Sequence, residues 1–241
     1  MKSAEPIHST LRTAQRFAGP EQAGAALAER LETIIDYGVR RRDRASLLVP
    51  GGQTPIPLFE ALRDRPLAWS QVHVSLTDER RVPADHPDSN ARQVRAQLLR
   101  GRAAAARFHP LYEPTGGDRA DEAACGAALG LMPRPFDGVV LGMGRDGHIA
   151  SLFPDDPALP LALSTRTESR CLLTRAPVPP TERLSLTLAT LLQSRWIALF
   201  IQGGDKWATL EAAMASADAT RFPVYALLSQ RWVPVHVYHA A

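Results

Sequence analysis

The sequence predicts an α/β protein, with a largely parallel central sheet covered by helices on both faces. Three observations carry that expectation. Apolar strand-like runs alternate with helical patterns, three of the runs end in glycine turns, and no repeat, low-complexity tract or linker divides the 241 residues. With 45% hydrophobic and 22% charged residues, the chain has the balance of a folded globular protein able to bury a sizeable core. The expected organisation is one domain over residues 1–241.

Pro20 opens the first helix, whose apolar residues Leu27, Leu31, Ile34 and Ile35 share one face. It ends near Gly38 or in the basic cluster Arg40, Arg41, Arg42 and Arg44, read as a solvated helix end. Residues 47–49 form a short strand that runs into Gly51 and Gly52, and residues 55–63 read as a second helix, with Thr54 as its cap and Pro55 at its first position. Residues 72–76 alternate like a strand, and 89–100 read as a helix. Residues 136–141 and 196–201 are buried strands by their apolar content. Residues 184–192 and 205–214 read as helices, 233–237 as a last strand, and the Pro-rich stretches 154–160 and 177–180 as loops.

The longest apolar run, residues 196–201, falls far short of the roughly 20 residues of a membrane span. The first twenty residues carry Lys2, Arg12 and Arg16 without the apolar stretch of a secretory signal, so the expected compartment is the cytoplasm. Cys125 and Cys171 stand far apart, outside any C-x-x-C pair or zinc spacing, and read as buried, inert thiols. A net charge of +3 gives no reason to expect nucleic acid or membrane partners. Of the 28 Lys and Arg residues only Lys2 and Lys206 are lysines, which singles out position 206.

Glycines sit where strands hand over to the next segment: Gly51 and Gly52, then Gly142, Gly144 and Gly147, then Gly203 and Gly204. In a parallel sheet such turns gather at the carboxyl ends of the strands, where ligands of open α/β sheets bind. The first turn opens a helix, and its backbone N–H groups suit an anion; the third places Lys206 at another helix start. Two anion-suited turns on one sheet edge point to phosphate. Residues 142–147 also match G-x-G-x-x-G, but Pro154 and the loop after it leave no room for the crossover helix of a dinucleotide fold, so no nicotinamide or flavin is expected. Among seven histidines, His148 stands apart. It comes after Asp146 and Gly147 at the end of a buried strand, with a carboxylate two residues away able to orient the ring. His8, His73, His86, His109, His236 and His239 have ordinary strand or loop settings. Asp78, Glu79, Arg80 and Arg81 end another strand at the same edge, adding carboxylates and a guanidinium able to fork onto phosphate.

Residues 50–55 (PGGQTP), 77–83 (TDERRVP) with 88–90 (DSN), 141–154 (LGMGRDGHIASLFP), 183–187 (RLSLT) and 203–206 (GGDK) occur in order over about 47–212 and together resemble the 6-phosphogluconolactonases, which share a family with glucosamine-6-phosphate isomerases. The resemblance implies a Rossmann-like fold of the sugar-phosphate isomerase type. It implies hydrolysis of 6-phospho-D-glucono-1,5-lactone to 6-phospho-D-gluconate in the oxidative pentose phosphate pathway, with no cofactor and no metal. Gln53 stands where Ser or Thr is often found. On this reading His148 activates water, Asp146 holds it, and Lys206 and Arg80 clamp the phosphate with the Gly51–Gly52 turn. Thr54, Asp78, Asn90, Gly144 and Arg183 complete the substrate site, and backbone N–H groups of residues 142–148 serve as oxyanion donors.

A glucosamine-6-phosphate deaminase or aldose-ketose isomerase is the nearest rival by resemblance. It carries Tyr where this chain has Arg80 and an Asn-Glu pair where this chain has Leu152 and Phe153. A non-catalytic sugar-phosphate-binding module is the other alternative, and it has no need of the Asp146/His148 pair. The expected partner is a small phosphorylated lactone, and the expected state a monomer or weak homo-oligomer.

Overall fold

A computed structural model describes residues 14–114 and 116–241. Lys2, His8 and Arg12 lie outside the described residues. The main sheet has seven strands in the order β1 (Gln15–Phe17), β10 (Val235–Ala240), β9 (Ile197–Gln202), β6 (Gly138–Leu141), β2 (Ala45–Val49), β3 (Val72–Leu76) and β5 (Arg107–His109). Every neighbouring pair is parallel, as the alternation of strands and helices predicts. Strands β2 and β6 are wholly buried, which explains the apolar content read over 47–49 and 136–141.

The first helix, α1 (Pro20–Arg42), buries Leu27, Leu31 and Ile35 along one face and packs across β1, β2, β6 and β10. Gly24 lets the second helix, α2 (Ile56–Arg63), cross close to it, since a Cβ there would stand 2.7 Å from the Pro57 carbonyl carbon. Next come α3 (Asn90–Gln97), capped by the Ser89 hydroxyl, and α4 (Asp118–Gly130). The short helices α5 (Leu159–Leu163) and α6 (Leu188–Leu191) precede α7 (Gly204–Ser216), which packs on β9, and α8 (Val224–Ser229). The end of α1 is not simply solvated. Arg42 forms an ion pair with buried Asp137, whose carboxylate also accepts the Ser46 N–H at 2.9 Å.

Three further strands form a second, antiparallel sheet in the order β4 (Asp78–Arg80), β8 (Glu182–Leu186) and β7 (Cys171–Arg175). The helix expected over 184–192 is therefore corrected: 182–186 is a strand, and only Leu188–Leu191 is helical. Leu184 and Leu186 lie at the strand period, and pairing with β4 and β7 outweighs the local helix preference of leucine. The free-thiol reading is corrected as well. Cys125 on α4 and Cys171 on β7 form a disulfide with Cα atoms 6.3 Å apart. Packing of α4 against β7, where Glu122 accepts the Leu173 N–H at 2.8 Å, brings together cysteines that sequence distance separates.

The two sheets meet at Thr77, which donates its N–H to Val49 O and accepts from Leu186 N–H, both at 3.0 Å. From β2 the chain adds β3 and β5 outward on one side, then returns to lay β6, β9 and β10 on the other. The order thus reverses between β2 and β6, and the crevice at such a switch point is where an open α/β sheet takes its ligand. The turns leaving β2 and β6 are residues 50–55 and 142–148.

Candidate active site

Every candidate residue named from the sequence, from Gly51, Gly52 and Thr54 through Asp78, Arg80, Asn90, Gly144, Asp146, His148 and Arg183 to Lys206, lines one cavity of about 840 Å³ at this switch point. After β6 the chain folds back on itself: Gly144 N–H donates to His148 O at 2.9 Å, and Gly147, at φ +79, turns the backbone in a conformation that favours glycine. This fold presents His148 beside Asp146, with Nδ1 2.6 Å from Asp146 Oδ1. The imidazole also lies against the Phe153 ring, centroids 4.5 Å apart. Partial burial works against the Asp146 carboxylate, but the hydrogen bond and charge of His148 outweigh it and hold the Asp146 pKa below its usual range. With Nδ1 engaged, Nε2 is the ring nitrogen left to exchange a proton. Gly144 is required for this packing, because a Cβ there would fall 2.2 Å from His148 Nδ1.

On the β4–β8 side, Arg80 and Arg183 stand opposite each other in register. Burial, followed by the Arg80 charge, lowers the Arg183 pKa; its Nε donates to Pro180 O at 2.8 Å. Two guanidiniums so placed in a cavity wall form a ready site for an anion. Asn90 is buried, with Nδ2 donating to Asp78 O at 2.9 Å and Oδ1 left without a partner. Its amide lies where a Cβ on Gly51 would be, 1.9 Å from Oδ1, so only glycine fits at 51. Asp78 accepts from Ser151 Oγ at 2.7 Å and Thr77 Oγ1 at 3.1 Å.

On the β9 side, Lys206 reaches across and donates to Thr54 Oγ1 at 3.5 Å. Burial and then the neighbouring Arg145 lower its pKa, the mark of an ammonium short of counter-charge.

Some expectations about roles change. Thr54 does not cap α2: the N-cap is Pro55, and the Thr54 hydroxyl turns to Lys206 instead. Gly52 N–H already donates to Gln93 Oε1 at 2.8 Å, so of the two glycine N–H groups it is not free for an anion. The N–H groups of Gly144, Gly147 and His148 are likewise engaged within their own loop, which removes three of the expected oxyanion donors. Glu79 serves structure: its buried carboxylate accepts the N–H groups of Arg80, Asn90 and Ala91, each at 2.7 Å, and the Ser89 hydroxyl at 3.1 Å. Burial pushes its pKa up against those bonds.

Sequence reasoning missed Gln93, Ser151 and Phe153 as parts of the site. Ser151 and Phe153 lay inside the 141–154 block, but their contacts with Asp78 and His148 depend on tertiary packing. Among the other histidines, His73 and His109 pair with each other at 2.9 Å, His236 stacks on Trp196, and His239 lies tilted against Trp207. Among the described residues, no cluster of three or more His, Cys, Asp or Glu can hold a metal, and no helix is long and apolar enough to cross a membrane.

A carboxylate–imidazole pair and convergent cations at the switch point of a parallel sheet define an α/β enzyme with an anion-binding crevice. Residues 18–234 match the model of the glucosamine-6-phosphate isomerases/6-phosphogluconolactonase family, and the chain belongs to that family. It is 46% identical over 214 residues to the 6-phosphogluconolactonase of Pseudomonas aeruginosa, covering 89% of this chain and 90% of the relative. To the 6-phosphogluconolactonase of Pseudomonas putida it is 42% identical over 224 residues, covering 92% and 90%. Its structure matches the crystal structure of a 6-phosphogluconolactonase from Shewanella baltica with a TM-score of 0.91 at 38% identity, covering 95% of this chain and 97% of that one.

Proposed function

We propose that this protein hydrolyses 6-phospho-D-glucono-1,5-lactone to 6-phospho-D-gluconate as a step of the oxidative pentose phosphate pathway. The observation that carries the reading is the 2.6 Å Asp146–His148 pair inside a cavity walled by Arg80, Arg183 and Lys206. His148 Nε2 takes a proton from water as its oxygen attacks C1, giving a tetrahedral oxyanion. When that collapses, the bond from C1 to the ring oxygen breaks and His148 returns the proton to the departing oxygen. Asp146 fixes the ring and stabilises the transient imidazolium. Lys206 and Arg80 hold the phosphate, each charge-assisted bond contributing about 1.5 to 3 kcal/mol. With three loop N–H groups engaged, the oxyanion falls to the cationic side chains, Arg183 foremost.

Arg80 and Phe153 both line the cavity, at positions where the deaminases carry Tyr and Glu by resemblance, which favours the lactonase over its relative. A sugar phosphate does not cross a bilayer unaided, so the enzyme belongs where its substrate is made, in the cytoplasm. The test is to generate the phosphorylated δ-lactone in situ and follow acid release above the spontaneous background. Acceleration by purified protein supports the reading; its absence, or aldose-ketose conversion of a sugar phosphate, overturns it.

A further inference from the structure

The loop that presents Asp146 and His148 is held from behind by the chain between α7 and α8. Phe222 is seated directly on Gly147: a Cβ at 147 would stand 2.8 Å from Phe222 Cδ1 and 3.3 Å from its Cα. Two hydrogen bonds flank that contact. Val224 N–H donates to Gly147 O at 2.9 Å, and the Thr209 hydroxyl, 3.0 Å from both Arg145 O and Asp205 O, is shared between those two carbonyls. Phe222 is itself fixed, its N–H donating to Asp218 O at 2.9 Å. The Asp218 carboxylate in turn accepts the Thr220 N–H at 2.9 Å and the Thr220 hydroxyl at 2.7 Å, closing the turn.

Gly147, at φ +79 and without a Cβ to restrict it, stands one peptide before His148. A modest rotation there swings the imidazole by a large part of an ångström, and misplacing a catalytic group by 1 Å costs on the order of 10² in rate. Phe222 does not line the cavity, so any effect it has on the substrate passes through the residues it packs against, and Gly147 is the one that adjoins His148.

We infer that Phe222 is a positioning residue, whose contact with Gly147 fixes the aim of His148 and so sets kcat without contributing to substrate binding. The inference rests on His148 being the base. Phe222→Ala, Phe222→Leu, His148→Ala and the double variant Phe222→Ala/His148→Ala are compared for kcat and KM on the phosphorylated lactone. Phe222→Ala is expected to lower kcat about 10- to 30-fold with KM within about twofold, Phe222→Leu to recover most of the loss, and the double variant to be no slower than His148→Ala. If His148→Ala keeps most of its rate, the general-base reading fails and the inference falls with it. If His148→Ala is crippled while folded Phe222→Ala keeps its kcat, or KM rises by the same factor, or the losses multiply in the double variant, only the inference is overturned. Should Phe222→Ala not fold by circular dichroism, a Leu, Met and Val series at 222 carries the test: kcat falling with lost contact supports the inference, and a flat kcat overturns it.

Discussion

Lys206→Met separates binding from stability. The ammonium is half-buried beside Arg145, with only the Thr54 hydroxyl, at 3.5 Å, as a hydrogen-bond partner among the described residues. In the free enzyme it is a partly desolvated charge beside a like charge, so an uncharged side chain of similar length relieves a cost. On the proposed reading it faces phosphate in the complex, and one lost charge-assisted hydrogen bond amounts to about 2 kcal/mol, roughly 30-fold in kcat/KM. Lys206→Met is therefore expected to lower kcat/KM on the phosphorylated lactone about 30-fold, to leave the slow turnover of unphosphorylated gluconolactone almost unchanged, and to melt at the same temperature or higher. Lys206→Arg is expected to recover little, because a planar guanidinium does not replace a compact ammonium as a point charge. The pH dependence has a definite sign. Binding needs the charged amine, which is present below the folded pKa, and burial places that pKa below the ordinary 10.5. Affinity for 6-phosphogluconate, measured by calorimetry, is expected to fall as pH rises toward that lowered value, and this alkaline limb should vanish in Lys206→Met. Equal losses on both lactones, or a limb unchanged in the variant, would refute the phosphate role.

His148→Ala is expected to lower kcat by about 10² or more with 6-phosphogluconate affinity nearly unchanged; stopped assays against the spontaneous background check it. Gly144→Ala, which puts a Cβ 2.2 Å from His148 Nδ1 and 2.4 Å from Asp146 Oδ1, is expected to reduce kcat comparably, whereas Gly142→Ala, with nothing within 4 Å, keeps most of it. Prolonged dialysis against a chelator is expected to leave the rate unchanged; loss restored by a divalent ion would show a metal the mechanism lacks.

What the sequence disclosed was whatever short-range chemistry controls. Buried runs such as 47–49 and 196–201 announce themselves by composition, and the glycines after them mark turns. Because parallel strands send those turns to one edge, Gly51, His148 and Lys206 could be placed together before any contact was known. Pairing and packing at long range were not legible. Strand β4 is three residues long and polar, and β8 carries the leucines of a plausible helix; β4 is a strand through its pairing with β8, and β8 through its pairing with β4 and β7. The helix α4 escaped notice because its buried positions are Asp121, Cys125 and Leu129, a stripe with little apolar weight. The disulfide depends on that same unseen packing. Occupied N–H groups were hidden too, since whether Gly52 is free depends on Gln93, which reaches it from another helix.

The crevice draws its walls from two sheets that share one core and are linked at Thr77 and through Ser151, which bonds Asp78 and Ser185. On the proposed reading, a ligand gripped by Arg80 and Arg183 on the smaller sheet and by Lys206 on α7, which packs on β9, acts as a mortar joint, and its binding free energy becomes cohesion of the folded chain. At a hundred times Kd that linkage amounts to about 2.7 kcal/mol. Saturating product is therefore expected to raise the melting temperature, and the β7–β8 hairpin, whose second strand carries Arg183, is where amide exchange should slow most.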